Sequence, residues 1–255
     1  MCNTHLSRRL LLKSAIASGL ASVTGCAANE HTGRSQISLV SDATIENMAE
    51  PVWREVLASE PRSRNRQRTL RLQQVGQRMA EASGIEANWE FVLFAQPSVN
   101  AFVLPGGKVG LYEGLFAVAR NDAQLAAVIG HEIGHLQGRH HAERASQSTA
   151  ISIGANILGA VVADRTGSAT TADIASQVFS IGAEGAVQPY SRSNELEADV
   201  LSVTNMYRAG YDPNEAIQLW ERMIALSGDG GTTYSASHPA PLNRIEEIRE
   251  AIEAL

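Results

Sequence analysis

Cysteine is scarce in this 255-residue sequence, since only Cys2 and Cys26 occur and both lie close to the N-terminus. A disulfide framework and a cysteine-ligated zinc finger are therefore excluded for the folded body. Positive charge is not in excess, because 21 Lys and Arg residues stand against 27 Asp and Glu residues, and the net charge of −6 gives no electrostatic reason to expect a nucleic-acid partner. Internal repeats are also missing. With 44% hydrophobic, 19% charged and 5% aromatic residues, the composition is that of an ordinary globular protein, which excludes disorder, collagen and a polytopic membrane protein.

The first 25 residues have the features of an export signal. The basic residues Arg8, Arg9 and Lys13 accompany an apolar stretch, Leu10–Val23, that is diluted by Ser, Gly and Ala. This stretch is too short and too diluted for a permanent membrane helix, which needs roughly 20 apolar residues. We therefore predict that residues 1–25 are a signal peptide and that the protein leaves the cytoplasm.

Cys26 is the predicted site of lipid attachment. Val23–Cys26 resembles the bacterial lipobox, in which a cysteine after small residues is diacylated and becomes the new N-terminus. Ala27 at the next position favours the outer membrane, with the protein facing the periplasm, and the lipid is then its contact with the membrane. The residues up to 41 are polar and small, so 26–41 are predicted to be the lipidated cysteine and a tether. Ser7–Lys13 resembles the twin-arginine export signal, with a plain Sec signal as the alternative.

Helical spacing of apolar residues dominates the rest of the chain, 42–255, and one segment has the period of two that is typical of strands. Three short strands are predicted there, with Pro97 and Pro105–Gly107 as turns, and we expect them to form a small antiparallel sheet. The predicted fold class is therefore α+β, mostly helical, in one domain. The predicted helices are Ile45–Leu57, Arg68–Ser83, Asn121–Ser146, Ile151–Ala163, Ala172–Ala183, Asn194–Ala209, Pro213–Leu226 and Leu242–Ala254, and the predicted strands are Trp89–Ala95, Ala101–Leu104 and Lys108–Tyr112.

The strongest chemical signal is the pentapeptide His131–His135, with the sequence His-Glu-Ile-Gly-His. A spacing of four on a helix places both imidazoles on one face, one turn apart, where they can share a metal ion. Glu132 lies beside them, close enough to take a proton from a water in an open coordination position. Apolar neighbours give the helix a buried pattern, which disfavours two histidines on a solvated face. The sequence therefore predicts one Zn²⁺ ion per chain.

A catalytic zinc site needs a third protein ligand, and the segment Ser193–Asp199 can supply it. Glu195 and Asp199 are four residues apart and share one helix face. We assign Glu195 to the metal and Asp199 to the distal N–H of His131 or His135, where a carboxylate fixes the tautomer and the orientation of the ring.

Three other titratable residues near these motifs receive no role in the site. Glu197 is rotated well away from the face of Glu195 and Asp199. His140 and His141 lie off the ligand face of their helix, so we interpret them as structural or solvated.

Four segments together resemble a known enzyme family. They are His131–His135, Arg139–His140, Tyr190–Asp199 and Asn100–Gly107. In them the sequence is similar to the gluzincin metallopeptidases of the CaaX prenyl protease and HtpX-like group, family forty-eight of the metallopeptidases, and most similar to its soluble periplasmic lipoprotein branch. The resemblance implies that His131, His135 and Glu195 are zinc ligands and that Glu132 is the general base and acid. The assignment made from spacing is the same.

The resemblance also gives a meaning to two further segments. It places Asn100, Ala101 and Phe102 on an edge strand along which an extended substrate binds by strand addition; an ordinary internal strand is the alternative. It implies that His238 approaches the zinc and that Arg244 supports either the polarised carbonyl or a ligand carboxylate, both as catalytic residues. Two other roles for His238 stay open: occupation of the fourth zinc position, which holds the enzyme inactive until substrate arrives, and simple capping or packing.

These features predict a zinc-dependent endopeptidase that cuts unfolded or misassembled proteins of the cell envelope. Strand addition reads the backbone, so extended polypeptides are the expected substrates, and outer-membrane assembly proteins are candidate partners. The alternative is a lipoprotein chaperone or assembly factor for outer-membrane proteins, with a zinc site closed by the loop around Gln188–Pro189. Glu132→Gln separates the two, because a binding role survives that substitution and a protease does not.

Overall fold

Seven α-helices, one short 3-10 helix (Glu113–Ala117) and five strands make up the described part of the chain. The structure is a computed structural model that describes residues 26–149, 190–228, 234, 238–239 and 243–255. In chain order the elements are β1 (Cys26–Ala28), β2 (Ser35–Ile37), α1 (Asp42–Ser59), α2 (Arg66–Ser83), β3 (Glu90–Phe94), β4 (Ala101–Leu104), β5 (Lys108–Tyr112), α3 (Asp122–Gln137), α4 (140–149), α5 (Arg192–Arg208), α6 (Asn214–Gly228) and α7 (Arg244–Glu253). The predicted α+β, mostly helical fold class is confirmed. The predicted signal peptide, the helices Ile151–Ala163 and Ala172–Ala183 and the loop at Gln188–Pro189 lie outside the described residues.

The three-stranded sheet is mixed, and the prediction of an antiparallel sheet was wrong. Its order is β3–β5–β4, with β4 antiparallel and β3 parallel to β5. β4 and β5 form a hairpin around Pro105–Gly107, in which Gly106 and Gly107 adopt φ angles of 81° and 78°. Residues 95–100 connect β3 to β4, which are not neighbours in the sheet. β5 lies between them, so β4 is an edge strand. A period of two identifies strands but does not say which strands are neighbours.

The helix predicted from Asn121 to Ser146 is two helices. α3 begins after its N-cap Asn121 and ends at Gln137. Arg139 then adopts a φ of 54°, in the left-handed region that a helix interior does not contain, and α4 begins at the next residue. Apolar spacing continues across the break, which is why the sequence predicts a single helix.

α3 is the central helix and is buried along almost its whole length. It packs against α2, α5, α6 and β4. One apolar cluster surrounds it, and a second lies between α1 and the sheet, where Trp53 meets the rings of Phe94 and Phe102. Among the described helices, none is long and apolar enough to cross a membrane.

α3 and α5 approach each other at small residues. A Cβ atom at Gly134 would lie 2.7 Å from the carbonyl oxygen and 2.9 Å from the Cα of Ala198. A Cβ atom at Gly130 would lie 2.6 Å from Ser202 Oγ. Glycine on α3 therefore permits a backbone approach that any side chain would prevent. This approach brings the first turn of α5, with Glu195, against the middle of α3.

Residues 26–37 form a hairpin, although the sequence predicts an irregular tether there. β1 and β2 pair as antiparallel strands. Asn29 and Gln36 are 2% and 4% exposed, and their side-chain amides donate to the backbone carbonyls of Gln137 and Gly138 at the end of α3. The partners of these polar side chains lie more than 100 residues further along the chain, so local composition could not reveal them.

Candidate metal centre and active site

Three side chains assigned to a metal from the sequence converge inside the protein. α3 supplies His131 and His135, both 0% exposed, and their Nε2 atoms lie 3.1 Å apart. α5 supplies the buried Glu195, whose carboxylate oxygens lie 3.3 Å from His131 Nε2 and 3.6 Å from His135 Nε2. The close approach of α3 and α5 at Gly134 makes this convergence sterically possible.

His238 is the fourth member of the group. Its Nδ1 atom lies 3.3 Å from Nε2 of both His131 and His135, and 3.1 Å from Glu195 Oε1. One potential ligand atom from each of the four buried residues lies within 4.8 Å of all the others. The geometry therefore places the ring of His238 among the ligands and not merely near them.

The spacing of the polar atoms of these four side chains, with both carboxylate oxygens of Glu195 included, fits a tetrahedral metal ion. Atoms bonded at about 2.0–2.1 Å to a tetrahedral centre lie about 3.3–3.4 Å from one another. The separations between the four residues run from 3.1 to 3.6 Å. Lone pairs at such distances repel unless a proton or a cation lies between them. In addition, Glu195 Oε2 is buried without a hydrogen-bond partner among the described residues, so the side chains present fit such an ion.

The electrostatics of the site also favours a cation. Burial disfavours a charged His131, but the carboxylates of Asp199 and Glu195 outweigh it and raise the pKa of this ring to about 9. Burial raises the pKa of Glu195, yet His238 and His131 outweigh it and hold that pKa well below the ordinary range. Burial, reinforced by neighbouring histidines, lowers the pKa of His135. The site thus attracts positive charge, and a metal ion can replace the proton.

Asp199 orients His131. Its carboxylate accepts the Nδ1–H of His131 at 2.8 Å, which leaves Nε2 facing the ligand group. Arg244 lies 2.7 Å from both oxygens of Asp199, 3.7 Å from Glu195 Oε2 and 3.6 Å from the centre of the Trp220 ring. Of the two roles implied for Arg244, this geometry supports the one on a carboxylate. The guanidinium is buried against Asp199, where it supports the residue that orients His131; a catalytic role for Arg244 stays a prediction.

His135 is oriented by a residue to which the sequence assigned no role. Its Nδ1 lies 2.8 Å from His140 Nδ1, and His140 Nε2 lies 3.0 Å from Glu197 Oε2. The prediction for His140 assumed that the helix continues. α3 ends at Gln137 instead, and the turn that follows places the His140 ring against His135. A Cβ atom at Gly138 would lie 2.3 Å from His140 Nε2, so this position of the His140 ring needs glycine there, a requirement that the sequence alone does not reveal.

Glu132 lies beside the four-residue group and faces a tyrosine. It is 1% exposed, and its Oε1 accepts a hydrogen bond from Tyr234 Oη at 3.1 Å and lies 3.7 Å from His238 Nε2. Burial, followed by the charge of Glu132, raises the pKa of Tyr234 well above its ordinary value, so its hydroxyl remains a donor. Tyr190 stacks on the ring of His135 with the centroids 3.9 Å apart. No hydrophobic periodicity in the sequence around Tyr190 or Tyr234 predicts that these side chains lie at the site.

β4, which starts at Ala101, is an edge strand of the sheet. Asn100 O accepts from Tyr112 N at 3.0 Å, so the alternation of an antiparallel pair turns the backbone of Ala101 away from β5. The side-chain oxygen of Asn100 accepts the Ala101 amide at 3.0 Å. Phe102 packs against Trp53 and belongs to the cluster under α1. The three residues thus lie on the edge strand next to α3. The backbone of Ala101 points away from β5, but Ala101 is 1% exposed and its amide is already bonded to the Asn100 side chain.

Comparison with known proteins agrees with the geometry. The sequence model of peptidase family M48 matches residues 66–252. Over 186 residues the chain is 35% identical to the mitochondrial metalloendopeptidase OMA1 of Schizosaccharomyces pombe. The alignment covers 71% of this chain and 52% of that protein. Over 227 residues it is 27% identical to the beta-barrel assembly-enhancing protease of Escherichia coli K12. This alignment covers 85% of this chain and 45% of that protein. The chain therefore spans about half the length of these curated relatives. Because the family match covers most of the chain and contains all four converging residues, this protein belongs to peptidase family M48, a family of metallopeptidases.

Proposed function

We propose that this protein is a zinc-dependent endopeptidase. The observation that carries the proposal is the convergence of His131, His135 and Glu195 on one buried point, with the carboxylate of Glu132 beside it. Two histidines and a carboxylate that hold a metal, with a second carboxylate as general base, form the arrangement that metallopeptidases use. Membership of peptidase family M48 supports the same activity.

Zinc is the metal that the donor set favours. Imidazole nitrogens suit zinc, whereas calcium and magnesium prefer oxygen ligands. Catalytic zinc has three protein ligands and one further position, and the separations of 3.1–3.6 Å suit a small tetrahedral ion. His131, His135 and Glu195 would hold one ion per chain, and His238, whose Nδ1 lies 3.3 Å from His131 Nε2, would be the fourth ligand.

Each residue of the site has a separate role in peptide hydrolysis. Zinc bound there supplies a Lewis acid that polarises the substrate carbonyl and acidifies water. Glu132 takes a proton from the attacking water at its carboxylate and returns it to the leaving amine. Tyr234 donates to Oε1 of Glu132 and so fixes the carboxylate, while Asp199 fixes the ring of His131.

We propose unfolded or extended polypeptides as the substrates. The backbone of Ala101 points away from β5 on the edge strand β4, so an extended peptide that displaces the Asn100 side chain from the Ala101 amide can add there through main-chain hydrogen bonds. Because such binding requires an extended segment, a folded protein does not fit.

Time-dependent cleavage of casein by the purified protein, with bound zinc measured in the same sample, tests this function. A disulfide-bonded protein offered in its folded and in its reduced, unfolded form is the matched pair of substrates. The proposal expects cleavage of casein and of the unfolded form only. Equal rates on both forms would contradict the choice of substrate, and zinc-loaded protein that cuts neither would contradict the activity.

We propose the periplasmic side of the outer membrane as the place of action. The support is the lipobox-like sequence that ends at Cys26 and the similarity to the Escherichia coli relative, which is named a beta-barrel assembly-enhancing protease. Outer-membrane assembly proteins are candidate partners on the same grounds. Membrane fractionation of the wild type beside Cys26→Ser tests the anchor, and a variant that stays in the membrane fraction would contradict it.

The position of His238 is the one observation that favours a second candidate function. Its Nδ1 lies within 3.1–3.3 Å of the other three ligand residues and takes the place that a water or a substrate carbonyl needs. A site closed in this way suits a lipoprotein chaperone or assembly factor that binds outer-membrane proteins without cutting them. In an enzyme, the same contact holds the resting state inactive.

His238→Ala is expected to raise the rate of casein cleavage severalfold without loss of zinc. The reason is that three protein ligands remain, which is the number in catalytic zinc sites, and the fourth position opens. Initial rates and zinc content of the wild type and the variant measure both parts. Zinc lost together with the imidazole would contradict the expectation, and no cleavage by either protein would favour the chaperone.

A further inference from the structure

We propose that the N-terminal hairpin β1–β2 is a positioning element of the metal centre, and that it acts on His135 through Arg34. The inference rests on the zinc site proposed above. Four side chains, Arg34, Glu197, His140 and His135, form a continuous path that we name the Arg34 relay. Neighbouring members are joined by hydrogen bonds of 2.8–3.0 Å.

The direction of each hydrogen bond in the relay follows from metal binding. His135 faces the ligand group with Nε2, so its proton is on Nδ1, which donates to His140 Nδ1. His140 therefore carries its proton on Nε2 and donates it to Glu197 Oε2. Arg34 Nε donates to the same oxygen at 2.9 Å. The relay thus selects the one tautomer of His135 that leaves Nε2 available to a metal ion.

The relay runs from the interior to the surface. His135 and His140 are buried, the side chain of Glu197 is 15% exposed, and that of Arg34 is 35% exposed. A buried imidazole needs partners for both ring nitrogens. Without Arg34, the carboxylate of Glu197 can turn to solvent, and His140 then loses the group that holds its ring in place.

Arg34 also joins the two helices that carry the middle of the relay. Its two terminal nitrogens donate to both oxygens of Glu143 on α4 at 3.1 and 2.8 Å. Glu143 accepts in addition from Asn194 Nδ2 on α5 at 3.2 Å. α4 carries His140 and α5 carries Glu197, so one guanidinium fixes the two helices relative to each other. Only the planar fork of arginine bridges two carboxylates in this way.

The hairpin that carries Arg34 is itself attached to the metal-binding helix. Asn29 Nδ2 donates to Gln137 O at 2.8 Å, and Gln36 Nε2 donates to Gly138 O. These carbonyls lie at the C-terminal end of α3, where a helix leaves acceptors without helical donors. These two hydrogen bonds therefore hold Arg34 at the position from which it contacts Glu197.

The two metal-binding histidines differ in what holds them. His131 is held by Asp199 and the buried Arg244, and all three lie inside the family match of 66–252. The support of His135 ends at Arg34, which precedes that match. A segment outside the matched region thus completes one side of the metal centre.

The rate of zinc release tests this positioning role without any reference to peptidase activity. A chromophoric chelator is added to the zinc-loaded full chain of the wild type, Arg34→Gln, His140→Phe and the double variant. We expect Arg34→Gln to release zinc about tenfold faster, since partners that orient a metal ligand change metal affinity by about 10–100-fold. In the double variant the effect should be smaller than the product of the two single effects, because both substitutions break the same relay. Arg34→Lys should behave like Arg34→Gln, since one ammonium nitrogen cannot replace the three guanidinium nitrogens that bond Glu197 Oε2 and both oxygens of Glu143.

Arg71→Gln is the matched control. The side chain of Arg71 is 28% exposed, close to the 35% of Arg34, and it pairs with Asp122 at the opposite end of α3. Its substitution removes the same charge without contact to the relay, so zinc release should stay at the wild-type rate. Wild-type release from Arg34→Gln, equal acceleration by Arg71→Gln, or multiplicative effects in the double variant would each overturn the inference. Zinc-loaded protein that cuts no peptide contradicts the proposed function alone, and a wild type without zinc overturns both.

Discussion

Glu132→Gln is expected to abolish peptide cleavage while the protein keeps its fold and its zinc. Glutamine has the shape of glutamate, and its side-chain oxygen can still accept the hydrogen bond that Tyr234 donates at 3.1 Å. What it lacks is the basic oxygen that takes a proton from water and returns it to the amine. A general base or acid contributes about 10²–10⁴-fold to a rate, so we expect a loss of at least about 100-fold.

Initial rates of casein cleavage and metal analysis of the same samples measure this loss. Glu81→Gln is a suitable control, because it makes the same chemical change on an exposed position of α2. Cleavage by Glu132→Gln near the wild-type rate would remove Glu132 from the mechanism. Zinc in both proteins and cleavage by neither would instead favour the chaperone.

Arg244→Met is expected to lower the free energy of unfolding by about 3–5 kcal/mol, the usual cost of leaving a buried charge without its partner. Arg244 is 1% exposed and lies 2.7 Å from both oxygens of Asp199, which is itself 0% exposed. Methionine fills much of the same volume over the Trp220 ring but supplies no positive charge. Two buried carboxylates, Asp199 and Glu195, then face each other with less compensation, and the support of His131 weakens.

Urea denaturation of the zinc-loaded proteins measures this difference. Arg249→Met is the matched control on the same helix, because Arg249 is 50% exposed and its carboxylate contacts are 3.8–3.9 Å long. Exposed ion pairs contribute about 0–1 kcal/mol, so this control should differ little from the wild type. Equal losses in the two variants would show that the burial of the Arg244–Asp199 pair has no special energetic weight.

Spacing within one helix was sufficient to predict which side chains share a face. His131 and His135 lie one turn apart on α3, and Glu195 and Asp199 lie one turn apart on α5, as the period of 3.6 requires. That these two faces meet depends on the contact of Gly134 with Ala198, and a glycine has no recognisable meaning until its neighbour is known. The pairing of motifs therefore came from the chemistry of zinc, which needs a third ligand, and not from spacing.

Predictions failed where a local pattern was extended beyond the end of an element. The off-face interpretation of His140 holds only if the helix continues, and the left-handed φ of Arg139 stops it. The polar residues before α1 have no period, yet Asn29 and Gln36 find their partners on α3. Tyr234 meets Glu132 across 102 positions of sequence, a contact that only the tertiary fold creates.

The hairpin limits how far the metal-binding helix could lie from a lipid on Cys26. An irregular segment of 15 residues between the lipid and the fold would let the active site work up to about 50 Å from the bilayer. In the structure β1 begins at Cys26 itself, and Asn29, three residues later, is already bonded to the end of α3. Three extended residues span only about 10 Å. If Cys26 carries the lipid, the metal-binding helix is therefore held next to the membrane surface, and polypeptides must come to that surface to be cut.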